Sequence, residues 1–334
     1  MRLATYNVEW FTNLFDREDR LLPDGGCSAR YKVTRAQQAE ALGVVFRAMD
    51  ADAVMIIEAP DANGRRSTVT ALENFAAHFG LRARSAVMGF MNDTQQEIAL
   101  LYDPDALSAR HAPQSGTVDV PRFDGVFEID LDVDATKDRV SFSKPPLELD
   151  VETKSGFLFH IIGAHLKSKA PHGARDDAHA MKLAIANRRK QLAQSIWLRA
   201  RIDQHLGRGT ALMVMGDLND GPGLDAFEGL FGRSSVEIVM NGAAGDLYDP
   251  HARQALTHRM GAAPTSARFW IKHEKRYLQA LLDYIMVTPE LKGRDASWRI
   301  WHPTDDPVCW ENPTLRDALL TASDHFPVTL DLDI

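Results

Sequence analysis

The sequence predicts an α/β protein folded as one domain. Strand-like apolar runs recur from the first residues to the last, and helix-period segments separate several of them. No short repeat, low-complexity tract or Pro/Ser linker divides the 334 residues. Length permits one large or two medium domains, and the missing linker favours one.

The elements follow in chain order. Residues 2–8 alternate in β-competent side chains and predict a strand ending at Asn7. Residues 12–33 contain DREDRLLPDGG and predict a long surface loop. From Thr34 to Met49 the period becomes helical: Ala36, Ala39, Leu42, Val45 and Phe46 share one face, with Thr34 as N-cap. DADAVMIIEAP then runs nearly without polar interruption to Glu58, as a strand buried on both faces does. A helix over 67–79 precedes strands near 81–88, 97–103 and 146–152, and FLFHIIGAH forms a further strand closing at His165. The stretch 174–206, rich in Ala, Arg, Gln and Leu, predicts a long helix. TALMVMGDLND predicts another buried strand followed by a GPG turn, and the last strands fall at 281–287 and 325–332.

Composition excludes several classes. Forty-five per cent hydrophobic and 25% charged residues match a folded globular chain rather than a disordered or fibrous one. A net charge of −8 gives no global attraction to polyanions, which excludes an architectural DNA coat but not a phosphate held by a metal or a local basic patch. Two cysteines, Cys27 and Cys309, exclude a disulfide-framed scaffold and fit a reducing compartment. No apolar run approaches a membrane span, and MRLATYNVEWF enters a strand without a signal-like region. The expectation is a cytoplasmic protein, if this is the full-length product.

Polar residues sit where apolar runs stop. Asn7, Glu58, His165, Asp217 with Asn219, and Asp283 lie at or near strand ends, while Asp324 and His325 precede one. Active-site groups commonly occupy such ends and the loops beyond them. Glu58 closes a buried run, where a carboxylate is costly unless paired or bound to a metal; a solvated position just past the strand is the plain alternative. Strand alternation puts Asp217 and Asn219 on one side, a carboxylate to bind metal or accept a proton and an amide to orient water. The same tetrapeptide also reads as an Asx turn. His165, followed by Lys167 and Lys169, can donate to an anionic oxygen or protonate a leaving group, or be only a satisfied polar residue. Asp283 and the Asp324–His325 dipeptide suggest an imidazole whose tautomer a carboxylate fixes. Other chemistries fail: Gly221-Pro222-Gly223 lacks phosphate-loop spacing, His273-Glu274 lacks the second zinc histidine, and neither a cysteine pair nor a serine nucleophile elbow is present.

In order, TYNVEW (5–10), DAVMIIE (52–58), GAHLKS (163–168), GDLN (216–219), LDY (282–284) and SDHFPV (323–328) resemble the endonuclease/exonuclease/phosphatase superfamily, the deoxyribonuclease-I-like phosphoesterases. Six motifs in sequence cover the chain from its first ten residues to its last. The resemblance implies a four-layer α/β sandwich, two mixed β-sheets packed face to face with helices outside. It implies a Mg²⁺ site, with Mn²⁺ as substitute, built on Glu58 with Asn7 and Asp324 nearby. It further implies that Asp217 positions or deprotonates the nucleophilic water with help from Asn219. His325, oriented by Asp283, would contact the phosphate or act as base, and His165 would stabilise developing charge. The reaction implied is metal-assisted in-line phosphoester hydrolysis. Ile57 stands where many relatives carry Gln, Lys144 where an Arg before the Pro pair is common, and Glu97 is a candidate to orient His165.

Substrate class is less determined. HLKSKAPHGARDDAHAMKLAIANRRKQ resembles a stretch of bacterial nucleases of the superfamily, matching at Lys167, Asn187, Arg188 and Gln191. ARFWIKHEKRY offers Arg268, Lys272, Lys275 and Arg276 to backbone phosphates and Phe269, Trp270 or Tyr277 to a base; an amphipathic hairpin explains the same pattern. The expected substrate is DNA or RNA. A small-molecule or lipid phosphate is the alternative that net acidity favours, and a non-catalytic binding module is the third reading.

Overall fold

Alternation along each central strand divides its side chains between two cores, and that division generates the layers. The computed structural model describes residues 1–131, 136–171, 173–221, 232–257, 263–271 and 275–334. The strands are β1 (Arg2–Asn7), β2 (Ala53–Ala59), β3 (Ser85–Met88), β4 (Glu97–Tyr102), β5 (Leu107–His111), β6 (Phe127–Ile129), β7 (Asp138–Val140) and β8 (Leu147–Thr153). They continue with β9 (Leu158–His165), β10 (Leu212–Asp217), β11 (Ala267–Ile271), β12 (Arg276–Ala280), β13 (Asp283–Val287), β14 (Ser297–Ile300) and β15 (Val328–Asp331). One mixed sheet has the order β14-β15-β1-β2-β4-β3 and a second the order β13-β10-β9-β8-β5.

Ala53, Met55 and Ile57 of β2 meet Met213 and Met215 of β10 and Ile161 of β9 in the core between the sheets. Their neighbours Val54 and Ile56 face outward into a core shared with helices α1 (Arg35–Met49) and α2 (Thr68–Phe79) and with the helix Pro313–Ala322. Leu212 and Val214 face the opposite way, onto Trp197, Leu198 and Ile202 of α3 (Asp177–Leu206). Helix, sheet, sheet and helix therefore stack as the four layers expected, with central strands such as β2 and β10 burying both faces.

Local signals explain the boundaries. Thr34 caps α1, as predicted, and with Gln37 forms a reciprocal box, while α3, capped by Asp176, begins three residues after the expected start. The 12–33 loop opens with a 3₁₀ turn, Phe11–Leu14, whose Phe11 and Leu14 are buried; its charge-rich remainder hid that anchor. The strand expected over 81–88 is confined to 85–88, and short elements such as β6, β7 and the helix Ser235–Met240 lie below the length at which periodicity shows. Pro222, Gly223, Lys272, His273 and Glu274 lie outside the described residues. Among the described residues no helix is long and apolar enough to cross a membrane.

Candidate active site

The polar row at one edge of the inter-sheet core follows from register. In the second sheet β9 runs parallel to β10 and β13 antiparallel to it, which sets His165 beside Asp217 and Asp217 beside Asp283. Period-2 alternation puts all three on the face that carries Ile161, Met213, Met215 and Ile285 into the core. Asn7, at the end of β1, reaches across from the first sheet: its Nδ2 donates to Asp217 Oδ2 at 3.0 Å.

Glu58 breaks this rule, and the break is structural. Alternation from Ile57 would turn it away from the inter-sheet face. Instead β2 shifts register against β4 between Ile57 and Ala59, and Glu58 adopts a left-handed φ of 60°. A bulge of this kind re-aims a side chain, and the carboxylate lines the same cleft as Asn7 and Asp217. Its Oε2 accepts the backbone N–H of Trp10 at 2.9 Å.

The Asp217–Asn219 turn satisfies both readings of the sequence. Asn219 N–H donates to Asp217 Oδ1 at 2.7 Å in an Asx turn, and Asn219 sits at φ 50°. Its Nδ2 donates to Leu166 O at 3.1 Å, so both side chains stay on the cleft. The glycine before them is obligatory: at Gly216, φ 135°, a Cβ would lie 2.0 Å from Ala164 O on the adjacent strand.

His325 is fixed from three sides. Its backbone N–H donates to Ser323 Oγ, whose hydroxyl donates to Asn7 O, joining the C-terminal motif to β1. Its Nδ1 donates to Asp283 Oδ2 at 2.8 Å, an oxygen that also accepts from Ser266 Oγ at 2.8 Å. That contact leaves Nε2 facing Asp217 Oδ2 at 3.9 Å. Asp324 follows the same loop onto the cleft; its N–H donates to Glu9 Oε2, which Arg30 holds by an ion pair.

Electrostatics set the groups apart. Burial, reinforced by Asp283 and opposed by His325 and the Asn219 and Asn7 donors, pushes Asp217 up to about 7. Burial also opposes charging His325, but Asp283 and Asp217 outweigh it and hold the imidazole well above the ordinary histidine range. His165 goes the other way: burial first, then Lys144, His325 and Lys167, hold it well below that range. Lys144 Nζ lies 3.3 Å from His165 Nδ1, and its own burial lowers it against the pull of Glu58 and Asp217.

Two donor groupings could hold a cation. Asn7, Glu58 and Asp324 line one cleft of about 700 Å³ and offer only amide and carboxylate oxygens, which suits a hard divalent ion. Asp217, Asp283 and His325 have ligand atoms within 4.8 Å of one another. Asp283 Oδ2 is already taken by two donors, whereas its buried Oδ1 accepts no hydrogen bond among the described residues. An electron-rich floor with an orphaned carboxylate oxygen fits a nearby divalent ion.

Some expected contacts are corrected. Arg188, expected at the substrate, is instead buried: its side chain is 1% exposed and its Nη1 donates to Asp220 Oδ2 at 2.6 Å and to Gln191 Oε1 at 2.9 Å. Gln191 Nε2 in turn donates to the carbonyls of Lys167, Leu218 and Asn219, so the α3 motif lashes two loops of the cleft together. Asn187 Nδ2 likewise donates to Ala170 O. Glu97, pushed up to about 7 by burial, accepts from Asn92 Nδ2 at 2.6 Å, and it is Lys144 that touches His165. The hairpin β11–β12 is present; Trp270 lines the cleft with Phe269 and Lys167, whereas Arg276 is exposed outside the cleft walls and Arg268 stacks on Tyr277 at 4.1 Å. Trp10 and Ser266 enter the site without having been singled out as members, and Lys144, noted only for standing where an Arg is common, joins them; Trp10 closes a quoted motif, but only the Glu58 bulge makes its place visible.

The sequence model of the Endonuclease/Exonuclease/phosphatase family matches residues 4–325. No curated protein matches the chain. Among solved structures, truncated TDP2 of Caenorhabditis elegans aligns over 98% of this chain and 96% of its own, with a TM-score of 0.50 at 12% identity. D. rerio TDP2 complexed with single strand DNA product aligns over 99% and 97%, with 0.49 at 12% identity. Bacteroides thetaiotaomicron mannosyl-6-phosphatase Bt3783 aligns over 99% of both, with 0.47 at 13% identity.

Proposed function

The chain belongs to the endonuclease/exonuclease/phosphatase family and is a phosphoesterase, and on that footing we propose that it is a Mg²⁺-dependent nuclease acting on DNA or RNA. The observation that carries the reading is the row His165–Asp217–Asp283 closed by Asn7, Glu58, Asp324 and His325 at the end of the inter-sheet core. Glu58, with Asn7 and Asp324, would hold Mg²⁺ or Mn²⁺, which when bound neutralises charge on the phosphate oxygens.

The remaining roles belong to the chain's own groups. Asp217, at the centre of the row, takes the proton of the attacking water through Oδ2, and Asn219 offers its amide oxygen to that water. Asp283 fixes Nδ1 of His325 as the protonated nitrogen and leaves Nε2 to meet a phosphate oxygen. His165, neutral through burial, donates a ring N–H to charge building on the phosphate or the leaving oxygen. Lys144 and Lys167 supply positive charge on the cleft wall.

The test is turnover of single-stranded, duplex and abasic DNA and of RNA with Mg²⁺, beside a panel of sphingomyelin, inositol phosphates and nucleotides. Cleavage of a nucleic acid, lost in Glu58→Gln and on chelation, supports the proposal. Inactivity on all four polymers with turnover of a small phosphoester replaces it by the phosphatase reading.

A further inference from the structure

Trp10 combines three features that packing does not explain. Its backbone is left-handed, φ 58° and ψ 47°, a conformation a bulky side chain rarely adopts without a functional reason. Its N–H is committed to Glu58 Oε2, and its ring is 40% exposed on the cleft. A second tryptophan, Trp270, is 51% exposed on the same cleft although it comes from the β11 strand of the hairpin. Behind it Tyr277 packs edge-to-face at 5.1 Å and carries the Arg268 guanidinium on its ring. Tyr277 is exposed and lies outside the cleft walls, so the aromatic surface continues past the reaction centre.

We propose that Trp10 and Trp270 form a stacking subsite for unpaired nucleobases, which makes single-stranded nucleic acid the preferred substrate. The inference rests on the nuclease reading above and deepens it. Flat, exposed rings beside phosphate-neutralising cations are what a single strand uses, because every base has a stacking face whatever its sequence. Paired bases in a duplex keep their faces occupied. A small sugar phosphate filling the cleft would leave the Tyr277–Arg268 extension unused.

The experiment measures binding of a labelled oligothymidylate by fluorescence anisotropy with Mg²⁺, in an Asp217→Asn background that slows turnover. Trp10→Ala and Trp270→Ala each weaken binding about tenfold, as loss of one base–aromatic stack does. Trp10→Phe and Trp270→Phe keep a ring and recover most of it, which separates stacking from misfolding. Trp310→Ala, at an exposed tryptophan off the cleft, binds as the parent does. Binding within twofold of the parent in both Ala variants overturns the subsite while leaving the nuclease intact. Equal losses in the Ala and Phe variants also overturn it. Failure of the parent to bind or cleave any polymer removes the nuclease reading itself, and impaired hexose 6-phosphate turnover in the Trp variants alone assigns the rings to a sugar.

Discussion

Replacing Arg188 by Met tests whether the α3 motif acts by holding the Asp217–Asp220 loop. Arg188 and Asp220 are each 1% exposed, and Asp220 also accepts from Lys169 Nζ, Ser235 N–H and Gly221 N–H. Two cations and these N–H donors hold Asp220 below the ordinary carboxylate range although burial pushes the other way. Deleting one partner of a buried pair costs about 3–5 kcal/mol, because the survivor stays desolvated. Lys169, less buried, continues to compensate, so the lower end applies: about 3 kcal/mol, or a fall in Tm of roughly 4 °C for a chain of this size. Met preserves most of the side chain's volume, so the loss is electrostatic rather than a cavity. Calorimetry on Arg188→Met, Asp220→Asn and the double variant reads the coupling: the double variant should lose less than the sum of the singles by at least about 1 kcal/mol. Additive losses, or a Tm within 2 °C of the parent for Arg188→Met, would refute the anchoring role. Activity should fall with stability, since Gln191 on the same helix holds the Lys167, Leu218 and Asn219 carbonyls.

Asp283→Asn should lower kcat about a hundredfold or more, because the amide no longer fixes Nδ1 of His325 as a charged partner does; a loss under tenfold contradicts the pair. Gly216→Ala should destabilise by at least about 3 kcal/mol or prevent folding, since a Cβ there collides with Ala164 O; a soluble variant with unchanged Tm rules out this backbone geometry. Asp249 supplies a pH signature: burial pushes its carboxyl up to about 6 although it accepts the Ala252 and Ile285 N–H groups. Its folded-state pKa lies above the unfolded value near 4, so the folded chain binds the extra proton. Its contribution is therefore present at lower pH and lost as pH rises from about 4 through 6, on the order of 3 kcal/mol. Urea midpoints of the parent and of Asp249→Asn between pH 4 and 7 should diverge over that window, and parallel curves would exclude the effect.

The sheet elements were legible because their side chains face apolar surroundings on both sides, which leaves long uninterrupted runs such as VMII and LMVM. The site was legible for the same reason in reverse. Where such a run stops at Asn7, His165 or Asp217, the inter-sheet core has ended, and parallel pairing of β9 with β10 brings two of those ends into one row. Pairings that depend on the third dimension were hidden. Arg188 carries the charge of a phosphate ligand, and only burial by α3 and the Asp220 carboxylate reveals it as an anchor. Glu97 opens a strand much as His165 closes one, yet Asn92 occupies its carboxylate. Glu58 is the instructive case, because the run ending in it was readable while its direction was not. Period-2 alternation would send its carboxylate to the α1–α2 side, with Val54 and Ile56. The register shift at Ile57/Ala59 and a left-handed residue turn it back, and the Trp10 N–H holds it there. Conformational strain of this kind, about 1–3 kcal/mol at a non-glycine residue, survives only where the surroundings enforce it. Both ends of the Trp10–Glu58 contact are left-handed, so the Glu58 carboxylate and the exposed ring beside it are positioned as one unit.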